Sequence, residues 1–421
     1  MHDSPDAMFR RAVVLHQQGK LADAERAYHE ILRQWPDHFD ASYLLGVIAL
    51  QTQRHHLGVE FFTKAITLRP DHEEAHNNRG VALANMGRFA EAMSNYDAAI
   101  ALRPDHAGAF TNRGAAQIAQ GCLEEALASY ETAIALRPDS AEAYNNHAAA
   151  LANLGRPEEA LASCDKAIAL RPDDASAQYN RGNALRDLKR FEDAVFSYDK
   201  AIALRPNLVG AHNNRGTVLS DLERHEDALL SYDKAIALRP DAPEFHNNRG
   251  AVLAELARLE EALACYGKAI ALKPDHAGAH KNRGAALAGL GRLDDALASC
   301  DRAIALNPDY AEAHTDRAAA LTGLGRIEEA LSACDKAIAL KWDSPEAQFN
   351  KGACHLALGD FDRGWEGFEW RWQSRIGPRG RDLPDSPWLG DSPVKSKTIL
   401  VHAEQGLGDS LQFCRYVPML A

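Results

Sequence analysis

The sequence predicts an all-α fold, a solenoid of about ten to eleven stacked helix pairs, followed by a linker and the opening of a truncated α/β tail. Three observations carry this. Prolines recur every 34 residues, at Pro36, Pro70, Pro104, Pro138, Pro172, Pro206, Pro240, Pro274 and Pro308, and Trp342 keeps the same interval. With each proline as position 32 of a copy, position 8 is always Gly or Ala, from Ala12, Gly46 and Gly80 to Gly352. Position 24 holds an aromatic (Tyr96, Tyr130, Tyr198, Tyr232, Tyr266) or a cysteine (Cys164, Cys300, Cys334). Self-similarity at such a period marks an array of helical repeats. Helices this short are marginal alone in water, so each copy must be stabilised by stacking on its neighbours.

Copies begin at Pro5, Phe39, Glu73, Ala107, Ala141, Ala175, Val209, Pro243, Ala277 and Ala311, with an incomplete eleventh at Pro345. The small residue at position 8 implies close approach of the two helices, because an interior glycine costs about 1 kcal/mol against alanine and needs a reason. Position 20 is small too, from Ala24 and Gly58 to Gly364, and the aromatic or cysteine at position 24 fills the space beside the crossing. Gly19, Gly87, Gly121, Gly155, Gly291, Gly325 and Gly359 fall where the first helix must stop, suiting a left-handed residue. The closing proline then ends the second helix by disfavouring helical backbone before it.

These columns resemble the tetratricopeptide repeat family: small at 8 and 20, aromatic at 24, Ala at 27, Pro at 32. The resemblance covers about residues 7–372 and implies antiparallel helix pairs wound into a superhelix whose first helices line a concave groove. One column departs from it. Position 7, apolar in that family, is Arg79, Arg113, His147, Arg181, Arg215, Arg249, Arg283, Arg317 and Lys351. We expect its aliphatic stem to pack and its head to reach Asp97, Glu131, Asp165, Asp199, Asp233, Asp301 or Asp335 on second helices.

Composition excludes several functions. The formal charge is −12, with 59 acidic against 47 basic side chains, which disfavours nucleic acid as a partner. No apolar run approaches the ~18 residues of a membrane span. The amino-terminal stretch lacks a signal-peptide core, so a cytoplasmic location is expected. Seven cysteines without a CxxC pair argue against disulfides and zinc, and those at position 24 read as small buried hydrophobes. His72-Glu73-Glu74-Ala75-His76 matches a zinc-protease pattern, but His72 falls in a loop and His76 in a column shared with His212, His246, His280 and His314. We read both as framework and expect neither metal nor cofactor. The acidic pairs Glu124-Glu125, Glu158-Glu159 and Glu260-Glu261 open second helices, where they suit the helix dipole.

The candidate binding column is position 6: Asn78, Asn112, Asn146, Asn180, Asn214, Asn248, Asn282, Asp316 and Asn350. A carboxamide offers donor and acceptor, matching the two halves of a peptide bond, yet Asn is a poor helix-interior residue. Either these amides bridge neighbouring repeats, or they form a ladder gripping extended protein or peptide segments by the backbone. The second reading resembles the repeat region of bacterial O-linked N-acetylglucosamine transferase-like proteins. Glu142, Asn153, Asn183, Asp187, Thr217, Asp221, Glu244 and Glu255 share the stripe and favour a neutral or basic guest.

After Ala347 the pattern degrades, and residues 345–372 read as a degenerate capping copy with Trp365, Phe368 and Trp372 along one helix face and Trp370 off it. Residues 373–397, rich in proline and glycine, read as a linker. Residues 398–421 open a different domain: an apolar β-branched run, then Gly406-Leu407-Gly408-Asp409 and a helix start. That segment is similar to the opening of a heptosyltransferase-like GT-B glycosyltransferase. The similarity implies a ligand loop at Gly406 and Gly408, with Asp409 as the catalytic candidate. The expectation is therefore a protein-interaction module, with no catalytic residue in the repeats and this chain alone not an enzyme. It becomes the acceptor-recruiting part of a glycosyltransferase using a nucleotide sugar if the native chain continues past Ala421. The remaining alternative is a pure assembly scaffold.

Overall fold

The computed structural model describes residues 4–373, which divide into two compact units with the boundary after Pro240. The linker and the strand–turn–helix expected from Thr398 lie outside the described residues. Among the described residues there are 22 α-helices, one short 3-10 turn and no strand.

In the first unit, the first helices are Pro5–Gln17, Phe39–Gln51, Glu73–Asn85, Ala107–Ala119, Ala141–Asn153, Ala175–Asp187 and Val209–Asp221. Their second helices are Leu21–Gln34, His55–Leu68, Phe89–Leu102, Leu123–Leu136, Pro157–Leu170, Phe191–Leu204 and His225–Leu238. The second unit repeats the plan with Pro243–Glu255, Ala277–Gly289, Ala311–Gly323 and Pro345–Ala357 paired to Leu259–Leu272, Leu293–Leu306, Ile327–Leu340 and Phe361–Phe368. Within each unit, helix pairs pack antiparallel, and successive first helices also touch one another across repeats. Successive second helices make no comparable contact, so each unit curves with its first helices on the inner face.

The crossing inside each pair is set by the small residue at position 8. A Cβ built on Gly80 would lie 2.5 Å from the Tyr96 ring, on Gly182 2.5 Å from Tyr198, and on Gly114 2.7 Å from Tyr130. The ring stacks flat on the glycine because nothing projects from it. Where Cys164 and Cys334 replace the ring, position 8 is Ala148 and Ala318, returning part of the lost volume. Both thiols are fully buried, as is Cys300. Burial pushes Cys164 and Cys300 up to about 12, which suits inert core residues.

The helix ends are cut by local chemistry. His38, His72, His106, Ser140, Asp174, His276 and Ser344 each accept the N–H of the third helical residue, the role of an N-cap. Four imidazoles therefore do what Ser and Asp do elsewhere. First helices stop at a left-handed residue, glycine in seven copies with φ of 70–80°, but Gln53, Lys189, Glu223 and Ala257 hold φ of 56–58° in the same column. Second helices end in extended backbone before the proline, as at Arg103 (φ −137°, ψ 93°). Lys341 keeps that geometry before Trp342, so stacking holds the turn even without the ring.

The last pair corrects one expectation. Its second helix stops at Phe368, and Glu369–Trp372 tightens into a 3-10 turn, so Trp372 leaves the stripe of Trp365 and Phe368. Gly352 and Gly367 meet backbone to backbone, and Gly364 presses on Leu356. Glycines that permit this contact also weaken the helix. Phe368 packs on Phe349 at 5.1 Å, while Trp365 remains 57% exposed.

Two stability tests follow from this geometry. Gly80→Ala drives a methyl into the Tyr96 ring and is expected to cost about 1–3 kcal/mol. Lys189→Gly relieves a left-handed side chain and is expected to stabilise by up to about 1 kcal/mol. Urea midpoints at unchanged slope measure both. A third test concerns pH. Burial holds His106, His147 and His280 below the ordinary imidazole value. The unfolded chain therefore takes up protons first, so this stabilisation is complete above about pH 6.5 and is lost as pH falls. Replacing the His106 cap by His106→Asn should shrink the drop in urea midpoint between about pH 7.5 and 5.5; an unchanged drop would assign it to other groups.

Candidate functional site: the amide column of the inner face

Position 6 lies on the inner stripe with positions 2, 9 and 13, since residues three and four apart share a helix face. All nine predicted site residues are half-buried there. Their hydrogen bonds reveal a second column that the sequence did not disclose. Six of the amides reach position 5 of the preceding repeat, 35 residues earlier. Asn112 donates Nδ2–H to Asn77 Oδ1 at 2.9 Å, Asn180 to Asn145 at 2.9 Å, and Asn282 to Asn247 at 3.0 Å. Asn78 donates to the Tyr43 hydroxyl at 3.0 Å and Asn214 to the Tyr179 hydroxyl at 3.1 Å. Asn350 donates to the Thr315 carbonyl at 3.4 Å.

These bonds leave the rungs unequally engaged. In Asn78 and Asn214 the acceptor is used too, taking an N–H from the adjacent Asn77 (3.3 Å) and Asn213 (3.1 Å). Asn214 also donates to Asn183, which accepts the Tyr198 hydroxyl as well. Asn248 is engaged within its surroundings. In the second unit one rung is ionic. Lys281 stands at position 5 and Asp316 at position 6, with Nζ 3.6 Å from the carboxylate. Burial pushes the Asp316 carboxyl up despite that lysine.

Other inner-face residues fall into two groups. Asp187 pairs with Arg186 at 2.8 Å, and Thr217 bonds the Tyr232 hydroxyl at 3.1 Å. Asp221 and Glu255 are likewise engaged. Glu142, Glu244 and Asn153 are exposed.

Several position-7 cations prove to be inter-repeat clamps, as the sequence led us to expect, whereas Arg283 reaches Ser299 of its own repeat at 3.1 Å. Arg113 bonds Asp97 at 3.1 Å, Arg181 Asp165 at 2.7 Å, Arg215 Asp199 at 2.6 Å, Arg317 Asp301 at 2.6 Å and Lys351 Asp335 at 2.7 Å. The aspartate comes from the second helix of the preceding repeat. A serine of the same repeat completes the clamp: Arg181 donates to Ser197 Oγ at 2.8 Å and Arg215 to Ser231 Oγ at 2.6 Å. His147 is too short for the carboxylate and bonds Ser163 alone at 2.9 Å.

The zinc-like pattern dissolves into framework. His72 Nδ1 accepts the Ala75 N–H, and His76 Nε2 donates to the Pro70 carbonyl at 2.9 Å, a bond repeated by His212, His280 and His314. Among the described residues no group of three or more potential ligands is arranged to hold a metal, and no helix is long and apolar enough to cross a membrane. The acidic pairs do open second helices, and the distal members of two of them also clasp the preceding arginine, Glu159 on Arg156 and Glu261 on Arg258, both at 2.7 Å. The loop candidates Gly406, Gly408 and Asp409 lie outside the described residues.

A stack of helix pairs with a patterned inner face defines a solenoid that offers an extended binding surface to proteins. Tetratricopeptide repeat models match residues 9–73, 73–106, 139–207, 277–310 and 315–364, and a TPR repeat model matches 116–155, 218–257 and 255–291. The chain belongs to the tetratricopeptide repeat family. Among solved structures it is similar to the Cut9–Hcn1 hetero-tetramer of the APC/C, with TM-score 0.50, 13% identity, and coverage of 89% of this chain and 88% of that one. It also resembles yeast Tom70 (TM-score 0.44, 18% identity, 88% and 92% covered). A third likeness is to YrrB, described as a TPR protein with an unusual peptide-binding site (TM-score 0.37, 28% identity, 44% and 95% covered). No curated protein matches the chain.

The clamps make a direct prediction. A double-mutant cycle on Arg215→Ala and Asp199→Ala should give a coupling of about 0.5–1 kcal/mol, because the arginine is largely shielded while the aspartate is half exposed. Adding about 0.5 M NaCl should reduce it. A coupling indistinguishable from zero at low salt would remove the ion pair from the forces that join repeats.

Proposed function

We propose that the chain is a protein-interaction module that binds extended polypeptide segments along its inner face, with the position-6 amides contacting the guest backbone. The observation that carries this is a polar column, recurring in register through both units, at positions where a helix gains nothing from asparagine. Asn112, Asn180 and Asn282 spend one N–H on the neighbouring repeat and leave a carbonyl oxygen and a second N–H uncommitted among the described residues. Each guest contact contributes about 0.5–1.5 kcal/mol, so affinity comes from several rungs together. Exposed Glu142 and Glu244 favour neutral or basic guests over acidic ones.

A second reading is favoured by the sequence around Gly406, Gly408 and Asp409. Under it the module recruits acceptor polypeptides to a glycosyltransferase-like domain, and its signature is transfer of sugar from a nucleotide sugar to a bound polypeptide. The groove itself is tested with a pool of fluorescein-labelled 15-residue peptides of randomised sequence. Replacing Asn112, Asn146 and Asn180 together by alanine should weaken retention of that pool by roughly 10- to 100-fold. Retention equal to the unmodified chain, with circular dichroism unchanged, would move binding away from the amides and favour a scaffold working through other faces.

A further inference from the structure

We infer that the rungs of the first unit do not share a guest equally, and that Asn146 is the principal anchor. The inference rests on the groove reading above and adds to it the residue that dominates. It follows from the hydrogen-bond commitments. Asn78 and Asn214 use both ends of the amide inside the protein, and Asn112 and Asn180 use the donor end. The Asn146 side chain makes no hydrogen bond among the described residues, and its polar atoms are not among those buried without a partner.

The cause is one residue in the preceding repeat. Position 5, which supplies Asn77 to Asn112 and Asn145 to Asn180, is Thr111 before Asn146. Its hydroxyl is buried and donates to the Ala107 carbonyl at 3.1 Å, so it is turned along its own helix. The amide wire that links the flanking repeats is therefore interrupted between the fourth and fifth copies. A guest that engages Asn78 or Asn214 must compete with bonds already made, and an exchange of one hydrogen bond for another gains little. At Asn146 nothing inside is given up.

The surroundings suit a backbone contact at that point. The inner-face neighbours Gly108, Ala115 and Ala149 carry little side chain, and Glu142, one turn away, is exposed. The sixth and seventh repeats differ: Tyr179, Asn183 and Tyr198 form a network with Asn214. An extended, neutral or basic polypeptide would seat its backbone on Asn146 and extend over the half-committed Asn112 and Asn180 on either side.

The test is a rank order, read with the same pooled randomised 15-residue peptides by anisotropy and with urea midpoints on each variant. Asn146→Ala should weaken peptide binding about tenfold and leave the midpoint unchanged. Asn112→Ala and Asn180→Ala should weaken it about two- to fivefold, while Asn78→Ala and Asn214→Ala should lower the midpoint and weaken binding by less than either. Thr111→Asn restores an acceptor 35 residues before Asn146; it should raise the midpoint and weaken binding without touching Asn146 itself. If the unmodified chain binds but Asn146→Ala costs no more than Asn112→Ala, the unequal ladder is wrong and the groove reading survives. If the unmodified chain retains no peptide, the groove reading falls and this inference with it.

Discussion

Everything on the inner face depends on a contact made behind it, between the bare surface of position 8 and the ring at position 24. The Gly80–Tyr96 and Gly182–Tyr198 crossings leave no room for a methyl group, so the distance between paired helices is fixed by van der Waals contact. With that distance fixed, each second helix holds its serine and aspartate at a constant height, the serine bonding the arginine of its own repeat and the aspartate that of the next. The clamps at Arg113, Arg181 and Arg215 recur with the same partners because the crossing recurs with the same geometry. The period in the sequence thus records repeated packing, and the register of the amides is a consequence of it.

The inner face adds a polar layer to this frame, and under the proposed groove reading stability and binding there draw on the same atoms. An asparagine that bridges to the preceding repeat is satisfied and ordered, which supports the stack. It is by the same bond less available to a guest. The Lys281–Asp316 rung shows how far the stacking role can prevail: a charged pair occupies the place of two amides, and the carboxyl is buried enough to be pushed up. Where position 5 offers no usable acceptor, as at Thr111, the balance tips the other way.

Much of the fold was legible because solenoid packing is local. Helix bounds, the left-handed stops at Gly87 or Gly155, and the buried cysteines all follow from residues inside one copy. The aspartate partners of position 7 were legible too, since charge complementarity needs only the two columns to be adjacent. The amide bonds were not. They join position 6 to position 5 of the previous copy, an offset of 35 that a 34-residue period conceals, and the partner varies among Asn, Tyr, Lys and Thr. The imidazole caps escaped notice because histidine is an uncommon N-cap. Their common column with Ser140, Asp174 and Ser344 is the signal that identifies them.

That concealed offset bears on how such an array acquires specificity. A strictly uniform ladder would hold a guest in any register, since each shift by one repeat would recover the same contacts. Uniformity gives affinity through the number of rungs but no position. Departures supply position: an interrupted bond at Thr111, an ionic rung at Lys281 and Asp316, a closed tyrosine network around Asn183. Each changes what one segment of the inner face offers while leaving the glycine–ring crossing intact, so it costs the stack little. The framework columns can thus remain constant while positions 5 and 6 vary, and under the proposed groove reading the choice of guest resides in those exceptions.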